Sequence, residues 1–333
     1  MNKIIVEVGS TCTKIDKFDG KSIEKLERIT IQFKKHYNED KGLRESDIKE
    51  LIKSVKELKS IDLSSFTIIT TAIGVLFSII SSIIISLFIG ISNPNGAGVS
   101  VYLISTMVVG TFMYTIYNSF CQGFIYNLLA KKMNNIKFIF DGGKIIKVTT
   151  TETAIITAMI ATIQAILLYL VSVLVLPLLI NAVMQTLIYA GQQVLAYSLY
   201  QFMILISQPT TIAMFIFGTF IMTFVFVLLG CYIYNILAGR GRGIEVKLSK
   251  ENNMTVIESV DMIKFAIAFG IVNGVLSIIT AIVMIVSGGT AISAIFNIIF
   301  SLIIGFASGA LTAIFYNFLA PKLEKLKLEL NDL

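Results

Sequence analysis

YNLLAKKMNNIKFIF runs from Tyr126 to Phe140, YNILAGRGRGIEVKL from Tyr234 to Leu248, and YNFLAPKLEKLKLEL from Tyr316 to Leu330. Each stretch reads Tyr-Asn-x-Leu-Ala-x-Lys/Arg and then alternates. The alternating apolar positions are Ile136, Phe138 and Phe140, then Ile244, Val246 and Leu248, then Leu326, Leu328 and Leu330. A period of two is the mark of a half-buried strand. The third tail, rich in Leu, Glu and Lys, suits a helix equally well. Such self-similarity points to repeated units.

What precedes each stretch is membrane-like. No Asp, Glu, Lys or Arg occurs at 63–130, 153–239 or 265–321. The chain is 55% hydrophobic and only 14% charged, against about 25% charged in a typical soluble domain. A span needs roughly 20 apolar residues, so the first and third blocks each hold two spans around a Gly-rich break. The middle block holds two spans plus extra material. The expected spans lie near 65–91, 100–130, 153–180, 210–238, 259–286 and 291–320. The fold class is thus an α-helical integral membrane protein, six transmembrane helices arranged as three repeated helix pairs. The repeats cover about 61–147, 148–256 and 257–330. In register with the three tyrosines, small residues recur every four positions. Examples are Thr111, Thr115, Ser119 and Gly123, and Ser301, Gly305, Gly309 and Ala313. Small residues four apart lie on one helix face and let backbones approach in lipid.

All charged stretches fall on one side of six spans. The opposite loops, SNPNGAGVS at 92–100 and SGGT at 287–290, are uncharged. The positive-inside rule then places both termini and the charged loops in the cytoplasm of a multi-pass cell-membrane protein. The net charge of +6 follows from that topology and does not indicate a nucleic-acid partner. No signal-peptide core precedes the first span, which is expected to be an uncleaved anchor. Short cytoplasmic β-hairpins are expected at 137–148, with an Asp-Gly-Gly turn, and at 244–258.

At the membrane boundary, Tyr126, Asn127 and Ala130 correspond to Tyr234, Asn235 and Ala238, and to Tyr316, Asn317 and Ala320. Tyr suits the interface, Asn bonds between helices or to free carbonyls at a helix end, and Ala permits close approach. Two readings stand side by side: helix-end anchors, or a site for lipid headgroups. The middle copy carries an insertion at 182–207, uncharged and with Tyr189, Gln193, Tyr197 and Gln201 on one helical face. It reads as a helix in the outer interface, with a seventh span as the alternative.

Ahead of the membrane part lies an α/β fragment, 1–60. It has strand-like Ile4-Ile5-Val6, the loop EVGSTCTK at 7–14, and a helical pattern at 46–60 carrying Ile48, Leu51, Ile52, Val55 and Leu58. Residues 4–33 resemble the first strands of the actin-like ATPases, which include sugar kinases and Hsp70. Glu7, Gly9, Ser10, Thr11 and Lys14 stand where that family has Asp-x-Gly-Ser/Thr-x-x-x-Lys. The resemblance implies a nucleotide-phosphate loop. Glu7 departs from the family's Asp, and no second lobe or adenine pocket follows. The loop therefore reads as vestigial, with protein docking or retained nucleotide binding as alternatives. Residues 61–333 resemble small prokaryotic membrane proteins whose spans end in Tyr-Asn-x-x-Ala followed by a Gly-Ile-Glu strand.

Within 63–130, 153–239 and 265–321 there is no acid, base or histidine, and Cys12, Cys121 and Cys231 lack metal or disulfide spacing. Intramembrane hydrolysis or proton relay needs such groups. The expectation is a non-enzymatic scaffold or assembly partner, with no cofactor or metal, whose partners are the lipid bilayer and a protein or second copy. A passive channel or small-solute transporter along a pseudo-threefold axis is the second reading. Asn118, Gln122, Gln164, Asn181, Asn273 and Asn297 supply the polar groups for either. The topology has a direct test. With the native cysteines removed, cysteines at Asn134 and Asn252 should resist an impermeant thiol reagent in intact cells, and one at Asn95 should react. External labelling at Asn252 would overturn the six-span reading.

Overall fold

The computed structural model describes residues 3–8, 13–18, 23–29, 55–92 and 97–332. The chain divides into two compact units, Met1–Lys53 and Ser54–Leu333. The first contains strands β1 (Lys3–Val8), β2 (Thr13–Phe18) and β3 (Ile23–Ile29) in an antiparallel sheet ordered β1-β2-β3. Glu7 and Lys14 are register partners across β1 and β2. Gly9, Ser10 and Thr11 lie outside the described residues, as do 46–54.

The second unit begins with a correction. Val55–Ile61 is a strand, β4, and not the end of a helix. Its backbone pairs on both sides, with Val55 opposite Ile139 and Leu58 opposite Leu330. Tertiary pairing on both edges overrides the helical spacing of Val55 and Leu58, which are both buried in the strand.

Helices α1 (Leu63–Ser92) and α2 (Ala97–Leu129) follow, then β5 (Lys137–Asp141) and β6 (Lys144–Val148). Next come α3 (Thr150–Tyr189), α4 (Gln193–Ser207) and α5 (Pro209–Leu237), then β7 (Ile244–Glu251) and β8 (Met254–Val260). The unit ends with α6 (Met262–Val286), α7 (Ala291–Leu319) and β9 (Lys327–Asp332). Among the described residues, six helices, all but the short α4, are long and apolar enough to cross a membrane.

The expected hairpins are part of something larger. β4 through β9 form a closed six-stranded antiparallel barrel. The β5–β6 turn follows the sequence signal, with Gly142 and Gly143 at φ +54° and +84°, the left-handed region that glycine reaches freely. What the hairpin reading lacked was the partner for their outer edges. β4, before the first span, and β9, after the last, pair with each other and close the ring. Closure removes every exposed edge. It also decides the third tail in favour of strand.

The barrel ladder alternates between two kinds of neighbour. β4 pairs β5, β6 pairs β7, and β8 pairs β9, each joining the strands before and after one helix pair. The pairs β5–β6, β7–β8 and β9–β4 join one helix pair to the next.

The small residues pack within helix pairs. A Cβ on Gly74 would meet Thr115 Cγ2 at 2.8 Å, and one on Gly123 would meet Leu63 Cδ2 at 2.9 Å, both between α1 and α2. Between α6 and α7, a Cβ on Gly305 would lie 2.9 Å from Asn273 Cβ, and one on Gly309 2.9 Å from Phe269 Cβ. Polar bonds add to this packing. Thr280 donates to Asn297 Oδ1 at 3.0 Å between α6 and α7. Gln164 Nε2 donates to Asn118 Oδ1 at 3.0 Å between α3 and α2.

The insertion differs from an interfacial helix. α3 continues unbroken to Tyr189, so its 40 residues span about 60 Å, longer than the ~40–45 Å of a bilayer with its headgroups. The chain turns at Gly191, φ +75°, and α4 runs back along α3. Gln193, Ala196 and Tyr200 share a cleft with Asn181, Gln185 and Ile188. Phe202, Ile206 and Ser207, further along α4, face Leu168 and Pro177 of α3. At 15 residues, α4 is also too short for a seventh span.

Close packing at Gly305 makes a comparison of neighbours informative. Gly305→Leu should lower the melting temperature in detergent well below that of Ile304→Leu, because overpacking costs about 1–3 kcal/mol and Ile304 is 61% exposed. Equal melting temperatures would mean that α7 does not meet α6 on this face.

Candidate functional site

Where each helix pair returns to the barrel, the Tyr-Asn signature meets the strand that opened the same pair. Asn127, near the end of α2, accepts from the Ile61 amide at 2.8 Å and donates to the Ile61 carbonyl at 2.8 Å. Asn235 does the same to Val148, accepting and donating at 2.8 Å. Asn317 does it to Val260, accepting at 2.9 Å and donating at 2.8 Å. One carboxamide thus replaces a missing ladder partner, taking both polar groups of a single strand residue. Asp lacks the donor, and Gln places the amide one methylene further out.

The tyrosines bind three residues earlier on the same strands. Tyr126 Oη donates to the Leu58 carbonyl at 2.7 Å, Tyr234 Oη to Ile145 at 2.6 Å, and Tyr316 Oη to Ile257 at 2.5 Å. Two of these hydroxyls also accept from the returning strand. The Ile244 amide reaches Tyr234 Oη at 3.1 Å, and the Leu326 amide reaches Tyr316 Oη at 3.2 Å. Each such tyrosine therefore pins two barrel strands at once.

The surroundings are apolar and tight. Ala130, Ala238 and Ala320 are buried beside these contacts. Leu58, Tyr126, Ile136 and Ile156 form one core cluster, and Ile69, Tyr316 and Ala320 another. Gly243 allows the closest approach, since a Cβ there would sit 2.5 Å from the Ile145 carbonyl oxygen. The residue after each clamped position immediately precedes a helix. Asp62 accepts from the Ser65 amide at 2.8 Å, and Asp261 from the Lys264 amide at 2.8 Å, both N-caps. At the third start Thr149 instead uses its hydroxyl to accept from the Lys137 amide at 3.1 Å.

Ion pairs link barrel strands to one another and to the start of α6. Glu245 meets both Lys264 and, at 3.1 Å, Lys144. Hydrogen bonds from Lys264 and Lys144 hold its carboxyl below the usual range. Glu258 is lowered in the same way by Lys325 and then Ser249. These pairs are solvent-exposed, so each adds little to stability. A lowered carboxyl contributes above the usual carboxylate range, and that contribution disappears as pH falls through its lowered value.

Sequence reasoning placed the signature residues at a boundary but did not find their partners. A signal was present. Leu58-x-x-Ile61-Asp62, Ile145-x-x-Val148-Thr149 and Ile257-x-x-Val260-Asp261 share apolar spacing and a capping residue. Of the phosphate-loop residues, Glu7 and Lys14 stand opposite each other on β1 and β2. Among the described residues, no three His, Cys, Asp or Glu side chains gather as a metal site would require. No protein-family model matches the chain, and neither a curated protein nor a solved structure matches it.

Removing one carboxamide leaves a strand N–H and C=O without partners, at about 1–3 kcal/mol per buried group. Asn235→Ala and Asn235→Asp should both lower the detergent melting temperature strongly. Ile236→Ala, at a neighbour that is 45% exposed, should lower it much less. Equal effects at the two positions would show that Asn235 is only an anchor at the helix end.

Proposed function

We propose that this chain is a non-enzymatic membrane scaffold. In this reading, three copies of a strand–helix–helix–strand unit stand about a pseudo-threefold axis, with the barrel and both termini in the cytoplasm. The observation that carries it is the recurrence of the carboxamide clamp at Ile61, Val148 and Val260. Its Asn oxygen and nitrogen are both engaged by backbone, which supports a structural role for the signature over a headgroup site. The uncharged spans support a reading without intramembrane acid–base chemistry. The loop around Gly9 is proposed to be a remnant, with no nucleotide requirement.

A scaffold needs a surface to present. The α3–α4 hairpin outreaches the other helices and carries Tyr189 at 91% and Val194 at 80% exposure. A protein partner or a second copy would meet the chain there, on the side away from the barrel.

The channel reading fares less well against the barrel. Eight strands give an interior just wide enough to be filled by side chains, and six give less. A path along the axis would have to pass through that filled ring. Proteoliposomes test the choice. Potassium or sodium release should equal that of protein-free vesicles at every protein-to-lipid ratio. Release that rises with protein content would replace the scaffold with the channel.

A further inference from the structure

The three junctions between helix pairs are filled differently. Counted back from the tyrosines, Gln122, Gly230 and Thr312 are equivalent, and across each junction stand Gln164, Asn273 and Phe77. Between α2 and α3, Gln164 Nε2 bonds Asn118 at 3.0 Å, and Gln122 Nε2 also reaches Asn118. Between α7 and α1, the rings of Phe315 and Phe77 meet edge-on at 5.3 Å. Between α5 and α6, Gly230 supplies no side chain, and Asn273 turns to its own helix to bond the Phe269 carbonyl at 2.9 Å. A crevice of about 380 Å³ is left there, walled by Gly230, Cys231, Phe265, Phe269 and Val272 and floored by the barrel rim at Ile145.

The lining of the crevice is apolar apart from Cys231, Tyr234 and Asn273, and basic residues adjoin that lining along the chain. Lys144 precedes Ile145, Lys264 precedes Phe265, and Arg242 stands two residues before Ile244, which also lines it. Arg240 and Arg242 are exposed, and Glu245 pairs with both Lys144 and Lys264. An alkyl chain with an anionic head fits this arrangement. Its methylenes would take up the packing contacts that the missing side chain leaves unmade, and nearby Arg and Lys side chains attract an anionic headgroup.

We propose that the α5–α6 crevice is a binding site for one anionic phospholipid of the leaflet beside the barrel. Its acyl chain lies against Gly230 and Val272, and its phosphate meets Arg240 and Arg242. The proposal rests on the membrane reading but not on orientation, since both leaflets of a nanodisc have the same composition.

The test uses the full chain in phosphatidylcholine nanodiscs doped with phosphatidylglycerol carrying a photoactivatable acyl chain. Crosslinks should concentrate at 230–234 and 265–273. Gly230→Phe, whose ring would fill the crevice, should reduce them about tenfold, a loss of ~1.4 kcal/mol in binding. Val272→Phe, a second way to fill the crevice, should do the same. Gly218→Phe, where a Cβ meets nothing within 4 Å, should leave them unchanged. Arg240→Ala with Arg242→Ala should remove the preference over a phosphatidylcholine probe with the same chain. Crosslinks spread equally over the three junctions would overturn the site, as would crosslinks unchanged in both filled variants. A co-purifying polypeptide crosslinked at Cys231 in place of lipid would assign the crevice to a helix. Unfolding of a filled variant would show as a lost melting transition, and the other variant then decides.

Discussion

One side-chain amide, used three times, holds the helices to the barrel. A strand that runs into a helix lacks a ladder partner at its last residue on the side of the returning strand, which has not yet begun, although the other side stays paired. Ile61, Val148 and Val260 are in that position, each two residues before the first residue of a helix. Burial without a partner is costly for both polar groups of a peptide unit. The Asn of the returning helix supplies both bonds, so it sets the height at which that helix must end. The Tyr one residue earlier fixes its rotation by reaching the same strand three residues upstream. Helix ends, strand ends and barrel closure are therefore consequences of one local geometry.

Within the membrane a different force takes over. Lipid tails are as apolar as the helix surfaces, so burial does not drive association there. Close backbone approach at Gly74, Gly305 and Gly309 and a few polar bonds hold each pair. Contact between pairs is sparser, and the α5–α6 junction keeps an open crevice. The barrel is what makes three pairs into one body. The middle pair departs from the others in reach, because α3 outlasts α1 and α6 and needs α4 to return.

The spans were legible because charge is absent from three long blocks, and the edges of Leu63–Ser92 and Ala291–Leu319 fall within two residues of expectation. The Asp-Gly-Gly turn was legible because few sequences reach two consecutive positive φ values. Closure of the barrel was not. It depends on β4 and β9, whose pairing joins Lys56 to Asp332 across the length of the unit, and local periodicity carries no information at that range. At Val55–Ile61 the apolar spacing favoured a helix until the partner strands were in view. The role of Asn127, Asn235 and Asn317 was hidden for the same reason. Their equivalence was plain in the sequence, but the atoms they bind lie 57 to 87 residues away.

The three clamps belong to one closed unit. Amide hydrogen exchange at Ile61, Val148 and Val260 tests it most directly, measured in the native chain and in Asn317→Ala. Exchange in the native chain should be slow at all three, because each amide donates to a carboxamide inside a closed ring. In the variant it should accelerate at all three, since an opened ring loses protection as a cooperative unit. Acceleration confined to Val260, with Ile61 and Val148 still protected, would show three independent contacts and contradict the claim.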